Sequence, residues 1–261
     1  MAAEVKILVE GYSNADKVDA RGLEKTCPTI TLVRDENLII IVDPGILENQ
    51  RVLIDALQKE NLTIKDVNIV CITHSHIDHY RNIGMFPDAK TLEYYGLWDK
   101  RTIENWSENL TPSIQIIYTP GHDYTGITLM VKTEPKSEHP GVVAICGDVF
   151  WRENYPQSPE DDIFASDPEK LMASRDMVLR MADWIIPGHG GIYKNDREVL
   201  PPIKEFSEKK KDKPFGICRK CQRVMEARTD SCRCRPYLCH RCCECTLDCD
   251  LCSCSHRKDR A

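Results

Sequence analysis

Thr73-His74-Ser75-His76-Ile77-Asp78-His79 places four metal-ligand side chains within six residues, in the order H-x-H-x-D-H. These side chains cannot all face one way from a regular helix or strand. They can converge from a tight loop that follows a buried strand. Neutral imidazoles and a carboxylate are the donor set that a hydrolytic zinc ion prefers. The chain holds 8 histidines in 261 residues, so three within six positions of an ordinary polar loop is improbable. Three further segments carry one such residue each: Thr119-Pro-Gly-His122, Cys146-Gly-Asp148 and Ile186-Pro-Gly-His-Gly190. Each sets it beside a glycine, where the backbone can turn sharply and approach a metal. Alone, a Gly-His or Gly-Asp dipeptide is a common turn; together and in this order the set is uncommon.

The elements that must position these residues follow from periodicity. Val5–Val9, Thr29–Val33, Val67–Thr73, Ile114–Tyr118, Thr125–Lys132, Gly141–Cys146 and Trp184–Ile186 are expected strands. So is the apolar run Leu38–Val42, stopped by Asp43-Pro-Gly. Asn49–Leu62 is an expected helix with Val52, Leu53, Ala56 and Leu57 on one face. Glu134–Pro140 turns two strands into a hairpin. Asp167 before Pro168 starts a second helix that runs to about Ala182, as an N-cap followed by proline at the first helical position. The candidate ligands fall in the turns after these strands, where mixed α/β folds collect their chemistry.

Composition bounds the rest. With 41% hydrophobic and 29% charged residues the chain is globular. Its Leu38–Val42 run is far too short to span a bilayer. No secretory h-region follows Met1. A cytoplasmic protein, with the nucleus as a second location and no membrane association, is the expectation. Residues 1–205 carry 21 Lys+Arg against 33 Asp+Glu, a net −12, whereas residues 206–261 carry +6. Cysteine divides the same way: Cys27, Cys71 and Cys146 lie in the body, and the other 11 of 14 lie between Cys218 and Cys254. Two modules are therefore expected: a hydrolase body over 1–204, a charged linker over 205–217, and a cysteine-rich module over 218–256.

Asp43, His74-x-His76-x-Asp78-His79, His122, Asp148 and His189 resemble the five ordered motifs of the metallo-β-lactamase superfamily, over roughly residues 5–195. The resemblance implies an αββα sandwich with its site at one edge. It implies one metal on His74, His76 and His122, a second on Asp78, His79 and His189, and Asp148 bridging. Asp43 would accept hydrogen bonds that hold the ligand loop. Two zinc ions in such a site activate a shared water for hydrolysis, with Asp78 as the catalytic residue that orients it and accepts its proton. Val9-Glu-Gly-Tyr12, Arg81–Ala89, Cys146–Phe150 and Ala182–Gly190 are similar to a small eukaryotic group within the superfamily, the metallo-β-lactamase domain-containing protein 1 group. That group is associated with zinc-dependent hydrolysis of RNA, notably histone pre-mRNA 3′ ends. Arg81 stands where the family usually has glycine, and the tail from Cys218 has no counterpart in it. The general acid for the leaving group is not identifiable: Tyr80, Arg81 and Tyr124 adjoin ligands, and surface packing explains each equally well.

In the tail, Cys218, Cys221, Cys232, Cys234, Cys239, Cys242, Cys249 and Cys252 would satisfy two tetrahedral sites, so two or more structural zinc ions are expected there. The order resembles cross-brace zinc fingers of the RING or PHD kind. A metallothionein-like cluster or disorder are the alternatives. So short a segment with few apolar groups needs metal to fold. Arg219, Arg223, Arg233, Arg235 and Arg241 offer phosphate contacts, or are simply solvated. Three function classes result. The first is an endoribonuclease whose partner is single-stranded RNA. The second is a glyoxalase II-like thioester or ester hydrolase, favoured by the small acidic body. The third is a zinc-finger interaction protein with a protein partner for its tail and a secondary hydrolase body. A homodimer is compatible with all three.

Overall fold

The structure is a computed structural model. It describes residues 3–15, 22–153, 155–196, 216–217 and 224–225. The chain divides into two compact units, Met1–Val199 and Leu200–Ala261. In the second unit, Gly216–Ile217 and Val224–Met225 pair antiparallel. Gly216 and Ile217, which the sequence reading gave to the linker, are thus strand residues. The rest of the linker and the eight tail cysteines lie outside the described residues.

The first unit is a sandwich. Its strands in chain order are β1 (Glu4–Val9), β2 (Tyr12–Ser13), β3 (Thr26–Cys27), β4 (Ile30–Asp35) and β5 (Leu38–Val42), then helix α1 (Arg51–Lys59) and β6 (Ile69–Cys71). A one-turn helix α2 (Ile77–Tyr80) leads to β7 (Lys90–Glu93), β8 (Gly96–Asp99) and β9 (Thr102–Glu104). There follow β10 (Ile114–Tyr118), β11 (Ile127–Thr133), β12 (Gly141–Ile145), α3 (Pro168–Met181), β13 (Trp184–Ile186) and β14 (Tyr193–Lys194). One sheet has the order β1-β4-β5-β6-β7-β8-β9 and the other β10-β11-β12-β13-β14, with β2-β3 a separate hairpin.

Alternation along the strands builds the layers. Val33, Ile40, Val42, Ile69 and Leu92 of the first sheet meet Ile116, Leu129, Val131, Val143 and Ile145 of the second, all buried. The intervening residues face outward: Ile30, Leu32, Ile41 and Val70 pack under Leu53 and Leu57 of α1. On the other side, Met130, Ala144 and Ile185 pack under Leu171 and Val178 of α3. Strand β5 is therefore buried on both faces, which explains its unbroken Leu-Ile-Ile-Ile-Val run. Each fully buried Leu or Ile contributes about 1.5–3 kcal/mol. Asp167 caps α3, its carboxylate accepting the Lys170 N–H at 3.1 Å, with Pro168 at the first helical position. Among the described residues no helix is long and apolar enough to cross a membrane.

Most of these strands lie within one or two residues of the expected segments; β2, β3, the β7–β9 meander and β14 are additional to them. Lys90-Thr-Leu-Glu and Gly96-Leu-Trp-Asp alternate too little, over too few residues, to stand out from loops.

Candidate metal centre

Strand ends bring the site together. In the first sheet β5 and β6 are parallel, with Val42 opposite Cys71, so Asp43 and the Thr73–His79 loop leave from the same edge. In the second, β12 and β13 are parallel with Ile145 opposite Ile186. Asp148 and His189 each lie three residues beyond that pair. The turn after β10 supplies His122.

Two groups of donors result. His74, His76, His122 and Asp148 form one, and Asp78, His79 and His189 the other, each with its donor atoms within 4.8 Å of one another. Asp148 stands between them. Its Oδ2 is 3.3 Å from Nε2 of both His122 and His189 and 3.9 Å from Nε2 of His74, and its Oδ1 is 3.3 Å from Nε2 of His79. Nδ1 of His76 lies 3.0 Å from Nε2 of His122. Oδ2 of Asp78 is 3.7 Å from Nε2 of His189 and 4.0 Å from Nε2 of His79. His74, His79, His122, Asp148 and His189 are buried, whereas His76 and Asp78 are half-buried at the mouth.

The surroundings decide the tautomers. Thr73 donates its N–H to Asp43 Oδ1 at 2.8 Å and its hydroxyl to Asp43 Oδ2 at 2.7 Å. That hydroxyl has no second proton, so Nδ1 of His74, 3.1 Å away, is the donor to it. Nδ1 of His79 donates to Asp43 Oδ2 at 2.8 Å, Nδ1 of His122 to Asp162 Oδ2 at 2.7 Å, and Nδ1 of His189 to the Cys27 carbonyl at 3.0 Å. With Nδ1 protonated, each of these four rings in its neutral form can offer a metal the lone pair of Nε2. Asp43 sits with φ +50°, a left-handed conformation that Asp tolerates better than most residues. Its one carboxylate anchors both the Thr73 side chain and the His79 ring.

The cluster fits a cation. Nε2 of His74, Nε2 of His79 and Oδ1 of Asp148 are buried without hydrogen-bond partners. Orphaned buried polar atoms are costly, and a bound metal ion satisfies all three. Electrostatics agree. Burial, reinforced by His79, holds His74 well below the usual imidazole pKa, and burial with His122 lowers His76. Burial also opposes charge on His79 and His189. There Asp148, aided by Asp43 at His79, outweighs it and raises both. At Asp148 burial is overcome by His189, His79 and His122, which hold its carboxyl well below the usual range. The field at the centre is that of carboxylates seeking positive charge.

Gly188 makes room for this. A Cβ there would stand 1.7 Å from Asp148 Oδ1. Three contributors were not visible in the sequence: Thr26, whose hydroxyl donates to Asp78 Oδ2 at 2.8 Å; the Cys27 carbonyl; and Asp162. Thr26 and Cys27 lie on β3, which carries no periodic signal, and Asp162 lies in a polar stretch indistinguishable from a solvated loop. Tyr80 packs against the core under α1, while Arg81 and Tyr124 are exposed.

Residues 28–115 match the metallo-β-lactamase superfamily. Over 197 residues, 71% of this chain and 79% of the relative, the sequence is 32% identical to metallo-β-lactamase domain-containing protein 1 of Xenopus laevis. This chain belongs to the metallo-β-lactamase superfamily. The fold is shared with solved structures. A Thermotoga maritima protein assigned to the metallo-β-lactamases superposes with a TM-score of 0.58 at 22% identity, covering 74% of this chain and 100% of that one. An N-acyl homoserine lactone hydrolase with N-hexanoyl-L-homoserine at its catalytic metal centre superposes with a TM-score of 0.52 at 18% identity, covering 72% and 92%. The metallo-β-lactamase body is a metal-dependent hydrolase with a His/Asp metal site at the strand ends.

Proposed function

We propose that this chain is a zinc-dependent endoribonuclease that cleaves phosphodiester bonds of single-stranded RNA, histone pre-mRNA 3′ ends being the specific candidate. Seven donors in two groups sharing Asp148 support a two-metal centre. His74, His76 and His122 would hold one zinc, Asp78, His79 and His189 the other, and Asp148 both. Two zinc ions there would activate water and stabilise the extra negative charge of the transition state. Within the protein, Asp78 has the role nearest the reaction. It is half-buried at the mouth, and Thr26 holds its Oδ2, so its carboxylate is fixed where it can orient the attacking water and take its proton. The RNA substrate rests on the similarity to the domain-containing protein 1 group. The −12 body repels a polyanion, so the +6 tail would deliver binding, and cleavage would fall steeply with added salt.

A second reading, thioester or ester hydrolysis, has its own support. Tyr12, Ile77, Tyr124 and Ile163 are exposed apolar residues on segments that carry or adjoin the donors, surfaces suited to an acyl group. The fold-related lactone hydrolase acts on such a substrate. A short single-stranded RNA and S-lactoylglutathione offered to the full chain discriminate the two, with Asp78→Ala and His122→Ala as controls for contaminating nuclease. RNA cleavage that is lost in both variants supports the nuclease. Cleavage equal in parent and variants rejects it, and turnover of the thioester alone establishes the second reading.

A further inference from the structure

We propose that Asp162 is the positioning residue of His122, holding that imidazole as a metal ligand through a dedicated carboxylate. The proposal rests on the reading of the seven donors as a metal site. The Asp162 side chain is 0% exposed. Its Oδ2 lies 2.7 Å from Nδ1 of His122, and its Oδ1 accepts the Phe164 N–H at 3.0 Å. Among the described residues no lysine or arginine forms an ion pair with it. Burying a carboxylate without a basic partner is expensive. The group that compensates it is the His122 N–H.

His122 is the ligand that most needs such a hold. His74 is oriented by a threonine hydroxyl, His189 by a backbone carbonyl, and His79 by Asp43, which it shares with Thr73. Asp162 Oδ2 takes its bond from His122 alone, whereas Asp43 Oδ2 takes the Thr73 hydroxyl as well as His79. Its Nε2 sits between His76 Nδ1 at 3.0 Å and Asp148 Oδ2 at 3.3 Å, so a small ring rotation removes it from both. A carboxylate acceptor fixes the Nδ1–H tautomer and increases electron density at Nε2, which makes a stronger metal donor.

The backbone around His122 is secured separately. Ser166 N–H donates to the His122 carbonyl at 3.1 Å, and Asp167 N–H and the Ser166 hydroxyl donate to the Gly121 carbonyl at 2.9 and 3.0 Å. Loss of the Asp162 carboxylate should therefore free the ring and leave the loop in place. Phe164 lies on the same turn, which closes with an Ala165 N–H to Asp162 carbonyl bond at 3.0 Å. Its ring centroid is 6.4 Å from that of His76, and it makes no bond to His122. Phe164→Ala thus perturbs the turn without touching the carboxylate.

The test uses the full chain and Mn²⁺, an ion suited to imidazole and carboxylate and disfavoured by the tail thiolates. Mn²⁺ affinity is measured by electron paramagnetic resonance on the parent, Asp162→Ala, Asp162→Asn and Phe164→Ala. The Nδ1–H proton of His122 is followed in parallel by ¹⁵N-histidine NMR in the metal-free protein. Asp162→Ala should weaken binding by about 10–100-fold and lose the hydrogen-bonded Nδ1–H signal. Asp162→Asn, which retains an acceptor without the charge, should fall between it and the parent. Phe164→Ala should bind as the parent does. A folded Asp162→Ala with parental affinity overturns the proposal, as does a loss in Phe164→Ala equal to that in Asp162→Ala. If Asp162→Ala does not fold, Asp162→Asn decides, and parental affinity with an unchanged Nδ1–H signal refutes the role of the charge. A parent that binds no Mn²⁺ instead defeats the metal-site reading itself.

Discussion

Gly188→Ala should remove metal from the centre while leaving the sandwich folded. The added Cβ would lie 1.7 Å from Asp148 Oδ1 and 3.1 Å from the Gly147 carbonyl carbon. No atom pair tolerates the first distance, so the carboxylate must move by more than an ångström. Gly188 itself has no left-handed backbone, so alanine adds no strain of that kind. The displaced group is the one within 3.3 Å of His79, His122 and His189. Overpacking of this sort costs about 1–3 kcal/mol in stability, which a domain of this size should survive. If Asp148 serves both metal positions as proposed, moving it should cost more in metal affinity than the about 10–100-fold typical of groups that only support ligands. Gly121→Ala is the contrast. There φ is +137° and the Cβ would meet the Leu171 backbone nitrogen at 2.1 Å, so the clash is with α3 rather than with the site. Elemental analysis and thermal melting of both variants provide the assay. Gly188→Ala should melt near the parent once both are stripped of metal, yet retain little metal in the body. Gly121→Ala should melt far lower. A Gly188→Ala protein with parental metal content would refute the placement of Asp148 at the centre.

Asp43→Ala removes the acceptor of three buried hydrogen bonds, from Thr73 N–H, Thr73 hydroxyl and His79 Nδ1–H, and each orphaned donor costs about 1–3 kcal/mol. A lower melting temperature and lower metal occupancy are expected together, with Asp43→Asn milder; unchanged values in both variants would show that the ligand loop holds itself. Burial pushes the Cys146 thiol up to about 12 and raises Cys71 well above its usual value. Both are therefore protonated in the fold at pH 8 and should resist iodoacetamide, read by peptide mass mapping. Because their folded pKa values are raised, their contribution to stability is present below about pH 8.5 and is lost as pH climbs toward the folded value. Rapid alkylation of the native protein at either position would contradict their burial. The 11 tail cysteines should bind at least two zinc ions and give intense thiolate charge-transfer bands with Co²⁺ under reducing conditions. Bands absent from the isolated tail would reject the thiolate sites.

The donors were legible in the sequence because each stands in a short motif after a strand, and the strands announce themselves by apolar runs. His74, His76, Asp78, His79, His122, Asp148 and His189 are all brought to one edge, and Asp43 takes the acceptor position expected of it. What supports them was less legible. The Cys27 carbonyl is a backbone group that no residue type reveals. Asp162 lies 40 residues from the histidine it holds, beside Asp161 in an acidic stretch whose composition matches an ordinary surface. Tertiary pairing, not local pattern, distinguishes the two aspartates. The β7–β9 meander was missed for a related reason: its short strands are stabilised by neighbours across the sheet rather than by their own alternation.

His74, His76, Asp78 and His79 hang from the first sheet, and His122, Asp148 and His189 from the second. An ion shared between them would be a clasp fastened across the open rim of the sandwich. It would join segments from 43 residues apart (His79 to His122) to 115 residues apart (His74 to His189) in the chain. Because such a fastening forms only where the fold assembles its donors, its binding free energy would add to the stability of the folded body. Hydrolysis and cohesion would then draw on one ion. A cell short of metal would face a body whose two halves hold each other less firmly, not merely an idle catalyst.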